Sequence, residues 1–479
     1  MTSLLRARLP RLAAALLAAG LSTASAAAPL PPALARALSE HGIPVAAVAI
    51  VVAQDDAGPV RLALDPDTPR NPASTIKLLT TLAGLELLGP DFRWRTEVYA
   101  GGPLEGGRLQ GDLVLKGYGD PFLVSESFWR LLRAVRDRGV EDIRGDLVLD
   151  RSYFASLASA PGDFDNEPER AYNAVPDALV LDFQATTLEL LPDPAAGIVR
   201  VLVWPPQSNL RLENRLRLVA GPCSWQHRRP QLALTHGDLQ TTVILRGDYA
   251  THCQEGSLPR LLAAPDPLLF GVFEALWTEM GGRLQGGLRA GELPQGATLI
   301  YRGESRPLAE LIRGMNKFSN NLMTRQLFLT LGAERFGPPG DEDKARRAVA
   351  EWLAQRGLRM AGLQLENGAG LSRNTRVTAR ALAELLAIGL RSPLAPELLS
   401  SLPIVGVDGT MRKRLEGEPL ATRARIKTGS LDGVAALAGY VHARSGRQYR
   451  VVMLINHPQL EAWRANLVQD ALLRWVYQD

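Results

Sequence analysis

The sequence predicts an α+β chain, with strand and helical patterns towards both ends and a β-rich stretch between them. Three observations carry that expectation. The residues before about Arg93, and those from "DPLLFGVFEALWTEMGG" onward, combine strand patterns with amphipathic helical periodicity. From Arg93 the texture changes to short β-like segments broken by Gly and Pro. The chain closes on a hairpin pattern followed by a helical one. At 479 residues it is too long for one simple core, so two or three domains are expected.

The elements follow in chain order. "MTSLLRARLPR" is a basic leader, "LAAALLAAGL" an apolar run too short to span a bilayer, and "ASA" at Ala24 to Ala26 a small-residue cleavage site. Residues 1–26 therefore read as an export signal, and the mature protein is expected in the periplasm, soluble or loosely membrane-associated. The alternative, an amphipathic N-terminal helix, is opposed by the absence of a polar face. No later segment holds ~18 uninterrupted apolar residues. Pro32 to Glu40 is helix-like, and Val45 to Ala53 and Val60 to Asp65 are strand-like. "STIKLLTTLAGLELLG" places Leu78, Leu79, Leu82, Leu85 and Leu88 on a helical face that stops near Gly89.

In the β-rich stretch "GDLVL" occurs twice, at Gly111 to Leu115 and Gly145 to Leu149. A duplicated strand-turn unit on one side, and chance or shared turn chemistry on the other, remain equal readings of so short a match. Helical patterns return with "DPLLFGVFEALWTEMGG" and recur through "EDKARRAVAEWLAQRG". "VAALAGYVHA", the turn "RSGR" and "QYRVVMLIN" predict a hairpin. The last helix puts Trp463, Leu467, Leu472 and Trp475 near one face. It reads as a cover for the sheet, with a membrane-interface anchor as the alternative.

Net charge is +4, but without residues 1–26 the balance is 51 basic to 50 acidic residues. Nothing in it points to a nucleic-acid or anionic-membrane partner. Cys223 and Cys253 are the two cysteines. In an oxidising compartment a disulfide is the favoured reading, two unlinked thiols the alternative. Without CxxC or HExxH, a metal site has little support and no cofactor is expected.

Six lysines stand among 54 basic residues. A composition that replaces lysine wherever arginine serves leaves lysine where a guanidinium fails. Arginine cannot lose its proton in a protein; a desolvated or crowded lysine can. In "NPASTIKLL", Ser74 and Lys77 are three apart and share a helical face. A serine hydroxyl needs a base to become a nucleophile, and neutral Lys77 suits that task. Alone, S-x-x-K is more often a helix cap and a solvated lysine. Two further motifs change the weighing: S-x-N at Ser319 and Asn321, and K-T-G at Lys427 to Gly429. Lys77, Lys317 and Lys427, half of the lysines, lie in or beside the three motifs. For Ser319 alone the bland reading is an N-cap, and for Lys427 an exposed strand end.

Each residue of the set has an expected task. Ser74 attacks a carbonyl and Lys77 takes its proton. Ser319 relays a proton to the leaving amine, and Asn321 holds Lys77 and the substrate amide. Lys427 supplies a fixed positive charge that keeps Lys77 neutral and attracts a carboxylate, which Thr428 also bonds. Gly429 removes bulk where substrate lies along the strand. The backbone N–H groups of Ser74 and Ser430 form an oxyanion hole, worth roughly 3–4 kcal/mol per donor by analogy.

The sequence resembles the D-alanyl-D-alanine carboxypeptidase/endopeptidases of the penicillin-binding protein 4 type from about Leu30 to the C-terminus. "TPRNPASTIKLLTTLAGLELLGPDFRW", "GDLVLKGYGDP", "MNKFSNNLMTRQLFLTLG" and "LPIVGVDGTMRKRL" carry the likeness. The resemblance implies a serine β-lactamase/transpeptidase-like domain, an antiparallel sheet flanked by helices, with domains inserted between the first and second motifs. The 242 residues from Lys77 to Ser319 agree with that. The insertion is expected from Arg93 to Leu262 as two small β-rich domains, leaving 27–92 and 263–479 as the catalytic domain. The implied partners are peptidoglycan stem peptides, with β-lactam antibiotics as covalent inhibitors on Ser74. Two departures stand out. "ENGAGLSR" (Glu366 to Arg373) has Glu-Asn-Gly-Ala-Gly where Asp-Gly-Ser-Gly is expected, and Tyr118 replaces a common glycine in "GYGDP". Neither is expected to touch the three motifs. Asp408 to Thr410 is expected near the site, without an assigned role.

Two other readings compete. A β-lactamase shares the first steps, but class A enzymes add a glutamate in an E-x-x-L-N pattern that is missing here. A catalytically silent wall-binding protein would have no need of intact Ser74, Lys77 and Lys427.

Overall fold

The structure is a computed structural model that describes residues 30–55, 58–224 and 230–479. The expected export signal at 1–26 lies outside the described residues. A five-stranded antiparallel sheet forms the centre of the main domain, in the order Ala424–Leu431, Val434–His442, Gln448–Asn456, Val48–Gln54, Val60–Leu64. Its central strands are buried on both faces because helices cover both. Val48–Gln54 accordingly reads as a continuous apolar run rather than an alternation.

On one face, helices Lys77–Leu88, Leu308–Lys317, Asn321–Phe336, Glu342–Gln355 and Ala379–Arg391 enclose a core containing Leu79, Leu82, Leu327, Phe328 and Trp352. On the other, helices Pro32–Glu40 and Ala462–Tyr477 pack on strand residues such as Ile50, Leu437 and Met453. The last helix is thus a cover for the sheet. Its inward face carries Ala465, Val468, Leu472 and Val476, whereas Trp463 and Leu467 point outward. The buried face is rotated from the one the bulky residues suggest, because the small Ala465 is what allows close approach to the sheet.

The interruption is two domains, one nested in the other. The outer one has a five-stranded sheet ordered Leu288–Ala290, Leu147–Asp150, Leu113–Gly117, Arg95–Ala100, Thr298–Glu304, under helices Ser125–Asp137 and Pro265–Glu279. Its first and last strands pair with each other, Arg95 opposite Glu304. The expected return to the main domain at residue 263 is therefore too early. Pro265–Glu279 buries Leu269, Phe273 and Trp277 against Val98, Leu115 and Phe128, so the outer insertion runs to about residue 304. Helical periodicity marks an apolar face without saying which core receives it.

The two GDLVL segments lie side by side in parallel, Leu113 opposite Leu147 and Leu115 opposite Leu149. A third copy, "GGLRA", adds on with Leu288 opposite Leu147. The turns interlock: Asp112 accepts from the Asp146 N–H at 2.8 Å, and Asp146 from the Gly287 N–H at 2.8 Å. The repeat left open by the sequence is a stacked structural unit.

The inner domain spans Thr186 to Arg260 and consists of two three-stranded sheets around Leu188, Val243, Leu245 and Tyr249. It too closes on itself, Thr186 pairing with Arg260. Cys223 and Cys253 are joined there by a disulfide, as expected.

Candidate active site

The three motifs converge at one end of the main sheet. Ser74 lies in a 3-10 turn, Ala73–Ile76, that leads into the helix Lys77–Leu88. That helix stops at Gly89 with φ 89°, where the sequence put its end. The turn is clasped from the main sheet: the Asn71 N–H donates to Asn456 Oδ1 at 2.7 Å and Asn456 Nδ2 returns a bond to the Asn71 carbonyl. Asn71 Nδ2 donates to the Ser372 carbonyl at 2.9 Å, and its Oδ1 accepts from the Ala73 N–H. Ala73 holds φ 43°, a left-handed conformation that costs energy without glycine. The surrounding bonds over-determine it and fix the serine's direction.

Lys77 is fully buried. Its Nζ lies 3.0 Å from Ser74 Oγ, 2.8 Å from Asn321 Oδ1 and 2.5 Å from the Ala369 carbonyl. Burial, then the neighbouring Lys427, lowers its pKa well below the ordinary lysine value. A neutral amine has two N–H donors and one lone pair. Asn321 and Ala369 are the pure acceptors for the two donors, so the lone pair is left to the Ser74 hydroxyl proton.

Ser319 adopts φ 57° just before the helix Asn321–Phe336. The N-cap of that helix is Asn320, which accepts from the Met323 N–H at 2.9 Å. The Ser319 hydroxyl is thereby released to accept from Lys427 Nζ at 2.9 Å. Lys427 also donates to the Thr428 carbonyl at 2.7 Å and is fully buried. Burial pulls the Lys427 pKa down to about 7, while its charge is the second cause, after burial, of the lowered Lys77 pKa.

The K-T-G strand Ala424–Leu431 is an edge strand of the sheet, with Ser430 exposed beside Ser74. Such an edge can pair with an extended peptide. Gly429 is also needed for a reason beyond the one expected. A Cβ there would stand 2.8 Å from both the Ser74 nitrogen and the Pro72 carbonyl oxygen, so it is the nucleophile turn, not only substrate, that presses on it.

Several residues escaped the sequence reading. The ENGAG loop does touch the motifs, contrary to expectation: Ala369 bonds Lys77, and a Cβ on Gly370 would stand 2.0 Å from the Ala73 carbonyl oxygen. Tyr118, the other departure, bonds Glu97 within the outer insertion. Asn321 Nδ2 donates to the Tyr172 carbonyl at 3.1 Å, so the insertion also reaches the site. Asp408 gains a role: it pairs with Lys317 Nζ at 2.5 Å and accepts from the Ile404 N–H, while Thr410 accepts from Thr428 Oγ1 at 2.7 Å. This segment ties the helix before S-x-N to the K-T-G strand and explains the third conspicuous lysine. Backbone carbonyls such as those of Ala369 and Tyr172 leave no side-chain signal. The paired glycines of "GAG" were the available hint. Ser74, Ser319, Asn321 and Ser430 line a cavity of about 510 Å³ whose far wall includes Asp165 and Tyr172.

The sequence profile described as the D-Ala-D-Ala carboxypeptidase 3 (S13) family matches residues 30–478. The D-alanyl-D-alanine carboxypeptidase of Actinomadura sp. is 31% identical, over 78% of this chain and 71% of that protein. D-alanyl-D-alanine carboxypeptidase DacB of Haemophilus influenzae is 27% identical, over 80% of each chain. The crystal structure of penicillin binding protein 4 from H. influenzae is similar with a TM-score of 0.77 and 25% identity, over 93% of this chain and 99% of that one. A second structure of that protein, complexed with a β-lactam, gives 0.72 over the same shares at the same identity.

Proposed function

This chain belongs to the D-Ala-D-Ala carboxypeptidase 3 (S13) family, and from that premise we propose that it works through an acyl-enzyme on Ser74. It is a serine-type D-alanyl-D-alanine carboxypeptidase of the penicillin-binding protein 4 type. The proposal extends to its substrates: stem peptides of peptidoglycan, from which it removes terminal D-alanine, and the D-alanyl cross-links between them.

In the proposed reaction Lys77 Nζ takes the Ser74 hydroxyl proton as Oγ bonds to the carbonyl carbon of the penultimate D-alanine. The N–H groups of Ser74 and Ser430 receive the developing oxyanion. As the amide C–N bond breaks, the proton passes by way of the Ser319 hydroxyl to the departing nitrogen. Protonated Lys427, with Thr428, holds the terminal carboxylate. Water then hydrolyses the ester, with Lys77 again as base. The observation that carries this reading is the buried Lys77 amine, 3.0 Å from Ser74 Oγ with both donors engaged elsewhere. β-Lactams would acylate Ser74 by the same steps. Export to the compartment that holds peptidoglycan completes the proposal; among the described residues no helix is long and apolar enough to cross a membrane.

The test is chromatography of purified muropeptides after incubation with wild type and Ser74→Ala, beside labelling by fluorescent penicillin. Wild type should be labelled and should release D-alanine, and the variant should do neither. An unlabelled wild type would favour a silent wall-binding protein, and penicillin turnover within seconds a β-lactamase.

A further inference from the structure

Beyond Ser319 a second cavity, of about 690 Å³, opens between the main domain and both insertions. It meets the Ser74 cavity at Tyr172, Ser319 and Asn321, which line both. Among the described residues five aromatic side chains are strongly exposed, Trp129, Tyr172, Trp204, Phe318 and Trp463, and three of them face this one cavity. Phe318 comes from the main domain, Tyr172 from the outer insertion and Trp204 from the inner one. Exposed apolar surface gathered around one cavity is the mark of a ligand-binding groove.

The wall is also strained. Asp182, Phe183 and Gln184 hold φ 45°, 58° and 59° in succession, none of them glycine. Asp182 is pinned there by the Ser125 N–H at 3.1 Å and by the Ser125 hydroxyl. The result is to set Phe183 edge-on to Phe122, 5.6 Å between ring centres, at the cavity wall, with the Arg306 guanidinium 5.2 Å from the centre of the Phe122 ring. Strain of this kind persists where the surroundings enforce it, and it concentrates at ligand sites. Arg130 and Arg306 line the cavity together with Glu126, one helical turn before Arg130, and with Asp182, a mixed set of charges suited to a zwitterionic chain.

We propose that this cavity holds the second stem peptide of a cross-link, the one whose amine departs. The inference rests on the acyl-enzyme reading above. There, the scissile C–N bond breaks, the acyl carbon is left on Ser74 Oγ, and the departing nitrogen receives its proton at Ser319. The carboxylate of the residue that bears that nitrogen is held at Lys427 and Thr428, so the rest of its peptide is left to extend past Ser319, where the second cavity begins. A free D-alanine would fill only a small part of the space, whereas a peptide bearing amines and carboxylates matches its size and its charges. On this reading the two insertions build the leaving-strand subsite, and so make a carboxypeptidase into an enzyme that splits cross-links.

The experiment compares the full mature enzyme with Trp204→Ala and Arg130→Ala. Each is given a purified cross-linked dimer, the monomeric pentapeptide and fluorescent penicillin. The proposal expects kcat/KM on the dimer to fall at least tenfold in both variants, with D-alanine release from the monomer and penicillin labelling within twofold of wild type. Unchanged dimer splitting in both variants, or an equal fall on dimer and monomer while labelling stays normal, overturns it. Inhibition of dimer splitting by peptide-free glycan strands also overturns it, since a sugar chain would then own the cavity. A wild type that is labelled and trims monomers but never splits dimers overturns this proposal and leaves the acyl-enzyme standing. An unlabelled wild type refutes the acyl-enzyme itself.

Discussion

Asn321 holds the two halves of the cleft together: its side-chain oxygen accepts from Lys77 Nζ at 2.8 Å while its nitrogen donates to the Tyr172 carbonyl at 3.1 Å. The second bond fixes which end of the amide faces the lysine. Asn321→Asp replaces the donor facing Tyr172 with an acceptor and puts an anion beside Lys77. The anion favours the ammonium form, so the Lys77 pKa rises and the base is lost at neutral pH. Penicillin acylation at pH 7 should fall by roughly 10²-fold or more and recover in part as pH is raised. A stopped-flow pH profile checks this; a flat, wild-type profile would refute it.

Lys77→Arg tests the deprotonation requirement directly. The guanidinium keeps its charge at every accessible pH. Acylation should drop by about 10²–10⁴-fold with no recovery up to pH 10, although the fold is retained by circular dichroism.

Lys427→Met separates charge from packing. Lys427 is the second cause, after burial, of the lowered Lys77 pKa. Its removal should therefore move the acid limb of penicillin acylation to higher pH. Stability moves the other way. With a folded pKa of about 7 against an ordinary value of 10.5, Lys427 takes up a proton on unfolding between those pH values. Its penalty is thus absent above about 10.5, grows as pH falls toward 7 and is constant below. At about 1.4 kcal/mol per pKa unit, the variant should gain at least ~1 kcal/mol at pH 7 even after losing two hydrogen bonds. Melting curves at pH 7 and pH 10.5 should show a gain only at the lower pH.

Gly429→Ala introduces a carbon 2.8 Å from the Ser74 nitrogen. Overpacking costs about 1–3 kcal/mol, and the displaced atoms belong to the nucleophile turn. Penicillin labelling should slow by more than tenfold, with a lowered melting temperature. An unperturbed labelling rate would show that the turn has room to give.

Reducing the Cys223–Cys253 bond opens a closure of 30 residues inside the inner domain. Chain entropy assigns that closure about 3.5 kcal/mol. Limited proteolysis after reduction should cut first within Thr186 to Arg260, while penicillin labelling stays near wild type.

Much of this was legible in the sequence. Ser74, Lys77, Ser319, Asn321, Lys427 and Ser430 meet in one cleft, and Gly89 ends its helix where expected. Side chains that do chemistry leave signatures at fixed spacing. What escaped depends on folding in three dimensions. The Ala369 and Tyr172 carbonyls are present at every residue and become special only by placement. The outer domain boundary was missed because strand Thr298–Glu304 pairs with Arg95–Ala100 across some 200 residues, and no local pattern records that partnership. The titration of Lys427 near neutrality likewise follows from burial that sequence does not display.

Both insertions begin and end on paired strands, Arg95 with Glu304 and Thr186 with Arg260. Each can therefore close on its own paired strands without waiting for Ser319 or Lys427 to reach the cleft. Lys77 meanwhile waits in water as an ordinary charged side chain, and the serine beside it stays inert. Reactivity is switched on only when the C-terminal strands close over the amine and bury it, which spares the folding chain from acylation at a half-built site.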